Sequence, residues 1–166
     1  VTNPASNLKL ASGIAPVKRY LDEGIPLAIG TDGAASNNCL DMFREMFLVT
    51  GLQKVVCDDP EVVPAREVLQ MAAVNGAHAM GLPECDRLAP GKKADLIMID
   101  LMQPNMQPLQ NIEKNIVYSG SKQNVKMTMI GGKVLYRNGE FFIGCSPQKV
   151  YEKAGETVKR ILGVQG

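Results

Sequence analysis

The sequence has a single histidine, His78, no tryptophan, and no two cysteines at the close spacing of a thiolate metal site. A catalytic zinc site normally has several protein ligands among which imidazole is prominent, so this chain alone does not contain a complete set. The scattered cysteines favour reduced thiols in a cytoplasmic protein over a disulfide framework. These four cysteines are Cys39, Cys57, Cys85 and Cys145.

Long apolar runs and an excess of charge of one sign are also missing. No run reaches the roughly 18 residues that a membrane-spanning helix needs. A formal net charge of +1 gives no long-range field that would attract nucleic acid or an anionic membrane surface. We therefore expect neither as a partner, and the 45% hydrophobic and 21% charged residues predict a soluble globular protein.

The start of the chain lacks an initiator methionine, a signal peptide and a leading secondary-structure element. The 166 residues suffice for one domain, or for one domain and part of a second. We expect the sequence to be the C-terminal part of a longer polypeptide.

The most informative stretch is residues 25–33, a short apolar run that ends in Asp32 and Gly33. Its length and β-branched content predict a buried strand over residues 27–31. A carboxylate at the end of a buried strand is costly unless a metal, a cation or several donors compensate it. An aspartate before glycine also commonly forms a turn with its own backbone. Both interpretations of Asp32 remain open from these residues alone.

Periodicity and turn residues divide the chain into a helical and a sheet-rich part. The predicted helices are residues 15–23, a helix capped by Asn38 that reaches about residue 56, residues 64–81, and a helix near the C-terminus. The predicted strands are residues 96–99, 116–118, 125–129, 134–136 and 141–142, with tight turns at Gly131-Gly132 and Asn138-Gly139. His78 is predicted to lie on a helix surface near the helix C-terminus.

Two polar loops, residues 3–13 and 30–38, are separated by one predicted helix and one predicted strand. In a barrel they would lie side by side on one rim, where their side chains suit a small polar ligand. Turn formation explains most of their Asn and Ser residues equally well. The candidate side chains are Asn3, Ser6, Asn7, Asp32, Ser36, Asn37 and Asn38.

Three strings in these segments resemble a known family. They are N-P-A-S-N-L-K-L at residues 3–10, G-T-D-G-A-A-S-N-N at residues 30–38 and P-G-K-K-A-D-L-I at residues 90–97. They are similar to the amidohydrolase superfamily, and the first two specifically to its 5-methylthioadenosine/S-adenosylhomocysteine deaminase group. The third string marks the superfamily only. The likeness extends over nearly the whole chain.

The resemblance implies an α/β fold: the C-terminal portion of a metal-dependent (β/α)8 barrel plus a small β-sandwich unit formed by both chain ends. On that basis residues 3–7 follow the seventh barrel strand, and residues 25–32 form the eighth. The implied divisions are residues 1–87 for the barrel part, 88–146 for the small β unit and 147–166 for a helix that packs on the barrel.

The resemblance also implies the site. Asp32 matches the metal-binding aspartate that relays the proton of the attacking water. Ser36 and Asn7 match positions near the substrate, and Asn3 and Ser6 would support the rim. The implied cofactor is a divalent metal, zinc, in the full-length enzyme and absent from this chain alone. The remaining metal-site histidines and the catalytic glutamate would lie upstream, so this chain by itself is expected to be inactive.

The function expected of the parent protein is hydrolytic deamination of an adenosine-type nucleoside, methylthioadenosine or S-adenosylhomocysteine, with release of ammonia. A first alternative keeps the barrel and the metal but changes the substrate, as in a guanine or cytosine deaminase or a chlorohydrolase. A second is a non-catalytic chain that self-associates or pairs with the missing N-terminal part, because unpaired strand edges and exposed apolar surface favour association.

Overall fold

The computed structural model describes residues 1–163. Its helices are α1 (Pro4–Lys9), α2 (Val17–Asp22), α3 (Met42–Cys57), α4 (Ala65–Ala72), α5 (Val74–Ala79), α6 (Ile112–Ser119) and α7 (Pro147–Leu162). Its strands are β1 (Leu96–Ile99), β2 (Val125–Ile130), β3 (Lys133–Arg137) and β4 (Glu140–Phe141). Short 3₁₀ turns occur at Pro83–Cys85, Pro104–Met106 and Lys122–Asn124. The chain is therefore an α/β protein in which five helices precede a small sheet, α6 lies between β1 and β2, and α7 follows β4.

The predicted strand before Asp32 is extended and buried but forms one bridge rather than a ladder. Thr2 pairs in parallel with Ile29. The N–H of Thr2 donates to the Ala28 carbonyl at 2.9 Å, and the N–H of Gly30 donates to the Thr2 carbonyl at 2.9 Å. The pairing is short because α1 begins at Pro4, so the residues that follow Thr2 enter a helix and do not continue the pairing. The prediction of a regular strand over residues 27–31 is therefore wrong in extent.

Helix α3 begins later than predicted. Asp41, not Asn38, is its N-cap, and the Asp41 side chain accepts from the Phe43 N–H at 3.0 Å. Asn38 is occupied elsewhere, because its side-chain oxygen accepts from Lys9 Nζ at 2.6 Å. The helix ends where predicted, with Asp58 in the left-handed conformation that closes a helix.

The predicted helix over residues 64–81 is two helices, α4 and α5, divided at Ala73. The carbonyl of Met71 accepts from the Ile29 N–H at 3.3 Å. The Asn75 side chain donates to the Leu27 carbonyl at 2.7 Å. These bonds to the buried segment before Asp32 draw the chain away from continuous helical pairing. Periodicity in a single segment does not carry this information.

Residues 116–118 lie in α6, so the strand predicted there is wrong. The Asn111 side chain caps this helix by accepting from the Lys114 N–H at 2.9 Å. Val117 is the one buried residue of the helix and joins the core. A run of three β-branched and aromatic residues resembled a strand, but the cap and the packing of α6 against α4 and α3 determined a helix.

The main core lies between α3, α4, α6 and the segment before Asp32. Its members are Val17, Leu27, Ile29, Phe43, Met46, Val49, Val62, Val63, Ala65, Val68, Met71 and Val117. Burying these side chains supplies the main stabilisation of the helical part. The packing of this core places α3 next to residues 3–13 and 30–38, the two polar segments that the sequence predicts as a site.

The sheet has the order β1-β2-β3-β4, and every neighbouring pair is antiparallel. Both predicted turns are confirmed, with positive φ angles at Gly131, Gly132, Asn138 and Gly139. The strands of residues 1–163 form this single sheet, so the second layer of the predicted sandwich stays a prediction.

Helix α7 is capped by Ser146 and has no buried residue. The predicted packing of residues 147–166 on a barrel therefore stays a prediction, and residues 164–166 lie outside the described part. None of the helices within residues 1–163 is long and apolar enough to span a membrane.

Two glycines provide a matched test of this packing. A Cβ on Gly120 would fall against the Ile116 carbonyl oxygen and 2.8 Å from Phe43 Cδ1, whereas a Cβ on Gly51 within α3 would meet nothing within 4 Å. Gly120→Ala should therefore lower the free energy of unfolding by about 1–3 kcal/mol. Gly51→Ala should raise it by about 0.5–1 kcal/mol, because alanine loses less backbone entropy in a helix. Urea unfolding measures both, and equal effects would contradict the described contact.

Candidate active site

The first polar segment is a helix rather than the loop that the sequence indicates. Helix α1 starts with Pro4, a favourable first helical residue. Asn3 is its N-cap but makes no side-chain capping bond. Its side chain instead covers Gly30, where a Cβ would fall 2.5 Å from Asn3 Oδ1. A side chain at position 30 would therefore displace the Asn3 amide from its present place.

Asp32 follows that segment and is exposed, with a φ of +60°. Its Oδ2 accepts from the Ser6 hydroxyl at 2.7 Å, and its Oδ1 accepts from the Gly33 N–H at 2.8 Å. Aspartate is one of the few residues that adopt this left-handed conformation readily. In this chain alone the expected cost of a buried carboxylate does not arise, because Asp32 lies at the surface. Asp32 makes both the predicted turn and a bond to the other polar segment.

These donors lower the pKa of Asp32 below its ordinary value. The Ser6 hydroxyl has the largest effect, followed by the Ser36 hydroxyl and the Gly33 N–H. Each of them stabilises the charged carboxylate. In the structure the Ser36 hydroxyl donates its one hydrogen to the Gly33 carbonyl at 3.1 Å, so it lies beside Asp32 in the same turn and the bonds to the carboxylate come from Ser6 and Gly33. Asp32 is therefore ionised at neutral pH and able to act as a metal ligand or a proton acceptor.

Asn37, predicted as a rim residue, is buried, and its side chain stabilises the loop of residues 31–39 by hydrogen bonds. Its Nδ2 donates to the Thr31 carbonyl at 2.8 Å and to Glu45 Oε1 at 2.6 Å. Its Oδ1 accepts from the Cys39 N–H at 3.1 Å. Every polar atom of the Asn37 amide is hydrogen-bonded inside the protein. Asn37 therefore stabilises the turn that contains Asp32.

Glu45 is the residue that reasoning from the sequence missed. It lies on α3, is fully buried, and its Oε2 accepts from the Ala5 N–H at 3.0 Å. This bond satisfies one of the free N–H groups at the start of α1. Glu45, Val49 and Gln53 lie at helical spacing on α3 and all three are buried, but two of the three are polar, so the spacing alone does not mark this stripe as buried. A charged residue on such a stripe requires buried partners.

Lys9 makes a second link between the two segments at the surface. Its Nζ donates to the Ala35 carbonyl at 2.9 Å and to Asn38 Oδ1. Asn7 lies apart from these contacts and lines a small cleft with Ile14 and Gln53. The structure thus brings Ser6, Asp32 and Ser36 together, while the assignment of Asn7 and Ser36 to a substrate stays a prediction.

His78 lies in the last turn of α5, as predicted, and its side chain contacts Asp86. Its Nε2 is 3.1 Å from Asp86 Oδ2, and Lys92 Nζ is 2.8 Å from Asp86 Oδ1. Lys92 and then His78 lower the pKa of Asp86. This cluster connects α5 to the turn that precedes β1, which gives His78 a structural role.

The hydrogen bonds of the Asp32 carboxylate leave it able to act as one ligand of a metal ion. Each carboxylate oxygen accepts one hydrogen bond in this exposed residue, and a carboxylate oxygen can accept a further partner. No three His, Cys, Asp or Glu side chains converge within residues 1–163. The described part of the chain therefore offers one carboxylate ligand at this position and no complete metal site.

The fold and the site together define an α/β protein with an ionised, hydrogen-bonded carboxylate at the end of a buried extended segment. The chain belongs to the amidohydrolase family, which matches residues 1–135. This match covers α1 to α6 and most of the sheet, including every residue of the candidate site.

Several curated relatives are similar to the chain. A 5-methylthioadenosine/S-adenosylhomocysteine deaminase of Nitratidesulfovibrio vulgaris is 50% identical over 139 residues, which are 84% of this chain and 32% of that protein. A 5'-deoxyadenosine deaminase of Methanothermobacter thermautotrophicus is 46% identical over 138 residues, 83% of this chain and 32% of that protein. The chain thus spans about a third of the length of the curated relatives it matches.

Solved structures show the same fold. An adenosine deaminase of Xanthomonas campestris with bound zinc has a TM-score of 0.92 and 36% identity, covering 98% of this chain and 37% of that one. An atrazine chlorohydrolase of Arthrobacter aurescens complexed with zinc has a TM-score of 0.83 and 24% identity, covering 93% of this chain and 34% of that one. The second likeness shows the fold alone.

Ser6→Ala tests the electrostatics of the site. Since the Ser6 hydroxyl is the largest cause of the lowered pKa, its removal should raise the pKa of Asp32 toward the ordinary value. A pH titration of the Asp32 carboxyl carbon by NMR, on metal-free protein, measures the shift. A carboxyl with a lowered folded-state pKa stabilises the fold above its unfolded-state pKa and loses that contribution in acid. Ser6→Ala should therefore cost stability at neutral pH and progressively less as the pH falls through the folded-state pKa.

Ser12→Ala is the matched control, because Ser12 is exposed and is not among the groups that shift the Asp32 pKa. An unchanged Asp32 pKa in Ser6→Ala would contradict the described hydrogen bond.

Proposed function

We propose that this chain is the C-terminal portion of a metal-dependent barrel enzyme that deaminates an adenosine-type nucleoside by hydrolysis. The observation that carries the proposal is Asp32, ionised and exposed, with its carboxylate fixed by Ser6 from the neighbouring segment. The relatives named as deaminases of methylthioadenosine, S-adenosylhomocysteine or 5'-deoxyadenosine support this substrate class. The zinc-bound adenosine deaminase with the same fold supports zinc as the metal.

The parallel bridge between Thr2 and Ile29 supports the barrel. Residues 1–3 and 27–29 are two adjacent parallel segments, and Ser6 and Asp32 follow them on the same side. Catalytic groups of a (β/α)8 barrel occur at the C-terminal ends of its strands. We assign these segments to the seventh and eighth barrel strands. The domains proposed on this basis are residues 1–87 for the barrel part, 88–146 for the small β unit and 147–166 for a helix that packs on the barrel.

Asp32 has two roles in the proposed reaction. As a ligand, its free lone pairs hold a divalent metal, which when bound lowers the pKa of water toward 7. As a base, its carboxylate accepts a proton from the water that attacks the amino-bearing carbon of the purine. It then returns that proton to the amino group, which leaves as ammonia while the ring carbon gains an oxygen.

The remaining rim residues have supporting roles in this proposal. Ser6 keeps one carboxylate oxygen hydrogen-bonded, so that the other face of Asp32 is directed outward. Ser36 lies in the exposed loop beside Asp32, where its hydroxyl can exchange the Gly33 carbonyl for a substrate group. Metal ligands beyond Asp32 come from the rest of the parent protein, so the isolated chain is expected to be inactive.

The same fold also accommodates other reactions. The atrazine chlorohydrolase and a guanine deaminase of E. coli, with a TM-score of 0.70 and 22% identity, share it. Higher identity to adenosine-type deaminases, from 42% to 50%, favours the aminopurine nucleoside as substrate.

The activity of the full-length, zinc-loaded protein tests the proposal. Methylthioadenosine should lose absorbance near the adenine maximum, and one ammonia should be released for each nucleoside consumed. Asp32→Asn should lower kcat by about a hundredfold or more, because amide replaces both the metal ligand and the proton acceptor. It should also lower the zinc bound per chain.

Asp59→Asn is the matched control for this experiment. Asp59 is also a turn-forming carboxylate, accepting from the Glu61 N–H at 2.8 Å, but it lies at the opposite end of α3. Its replacement should leave kcat unchanged. The absence of turnover on any aminopurine by the zinc-loaded protein would overturn the proposal.

A further inference from the structure

Glu45 is buried completely, yet both of its carboxylate oxygens are occupied by donors from two different segments. A carboxylate presents acceptors only, at two oxygens, whereas a glutamine of the same shape presents one acceptor and one donor. The two donors that converge on Glu45 therefore require the carboxylate specifically. Burial of this group is costly unless it is hydrogen-bonded in this way.

The first connection runs from Glu45 through α1 to Asp32. Oε2 accepts from the Ala5 N–H at 3.0 Å, and Ala5 precedes Ser6 in the first turn of α1. The Ser6 hydroxyl then donates to Asp32 Oδ2 at 2.7 Å. A shift of the start of α1 would therefore also shift Ser6, whose hydroxyl is bonded to the Asp32 carboxylate.

The second connection runs through the loop itself. Oε1 accepts from Asn37 Nδ2 at 2.6 Å, and the same Nδ2 donates to the carbonyl of Thr31 at 2.8 Å. Thr31 is the residue before Asp32, and the chain enters the left-handed conformation directly after it. Glu45 therefore fixes Asp32 from its side-chain end through Ser6 and from its backbone end through Thr31.

We propose that Glu45 is a positioning residue, whose two hydrogen bonds hold the Asp32 carboxylate in the orientation needed to bind the metal and move a proton. This inference rests on the proposed function. Glu45 itself does not reach the exposed face of Asp32 and is not a catalytic residue. Partners of this kind, which orient a metal ligand, typically change metal affinity or activity by about 10–100-fold when they are lost.

The alternative is that Glu45 only stabilises the fold, and Gln53 provides the matched control. Gln53 lies two turns further along α3, is equally buried, and also links the helix to another segment by two hydrogen bonds. Its Nε2 donates to the Ala15 carbonyl at 2.9 Å, and its Oε1 accepts from the Lys18 N–H at 3.0 Å. Glu45→Gln puts an NH2 group where an acceptor oxygen is needed, and Gln53→Glu puts an oxygen where a donor is needed. Of these two residues, only Glu45 contacts the Asp32 loop.

The experiment compares both variants with the wild-type full-length protein by thermal unfolding, kcat and KM, and zinc retention against a chelator. Both should lower Tm, and Gln53→Glu should lower it more, because it buries a new carboxyl group against the Ala15 carbonyl. Glu45→Gln alone should lower kcat about 10–100-fold, with KM within about threefold of the wild-type value, and weaken zinc retention by about tenfold. Equal kcat and zinc retention in the two variants would overturn the inference.

Asn37→Ser supplies a second test if Glu45→Gln does not fold. It removes the amide donor to Glu45 and to Thr31 while the carboxylate stays in place, and it should reproduce the losses in kcat and zinc retention. Unchanged values in Asn37→Ser would also overturn the inference. If the wild-type protein does not turn over any aminopurine, the proposed function is contradicted. The role of Glu45 can still be tested in that case, because zinc retention is measured without substrate.

Discussion

The buried carboxylate of Glu45 is the interaction on which the candidate site depends. It joins α3, one of the core helices, to the start of α1 and to the loop after the parallel bridge. A single side chain thereby joins Ala5 and Asn37, which are 32 residues apart in the sequence, and its desolvated hydrogen bonds are costly to break. The exposed Asp32 carboxylate is held in place by the core, although it makes no apolar contact of its own with it.

The sequence contained enough information for the elements whose causes are local. The glycine turns at 131–132 and 138–139, the break after Cys57 and the position of His78 depend on neighbouring residues, and all are confirmed. Elements that depend on distant partners were predicted wrongly. Residues 116–118 became helical through the Asn111 cap and the packing of Val117, and the helix over residues 64–81 divided because Met71 pairs with Ile29.

The candidate site shows the same division. The strings around Ser6 and Asp32 selected two segments, and their spacing implied that the segments are adjacent, as the bond between the two residues shows. Glu45 could not be assigned in this way, because its partners are a backbone N–H and an amide in other segments. Only the three-dimensional arrangement reveals that an acidic residue of an ordinary amphipathic helix supports both loops.

The coordination of Asp32 in the intact protein tests this account most directly. A crystal structure of the full-length protein loaded with zinc, with the ion located by anomalous scattering, gives the distance from the metal to the carboxylate. We expect an Asp32 oxygen about 2.0–2.2 Å from zinc, with Ser6 still donating to the carboxylate and Glu45 still bonded to Ala5 and Asn37. A zinc ion bound without Asp32, or an Asp32 carboxylate turned away from Ser6, would contradict it.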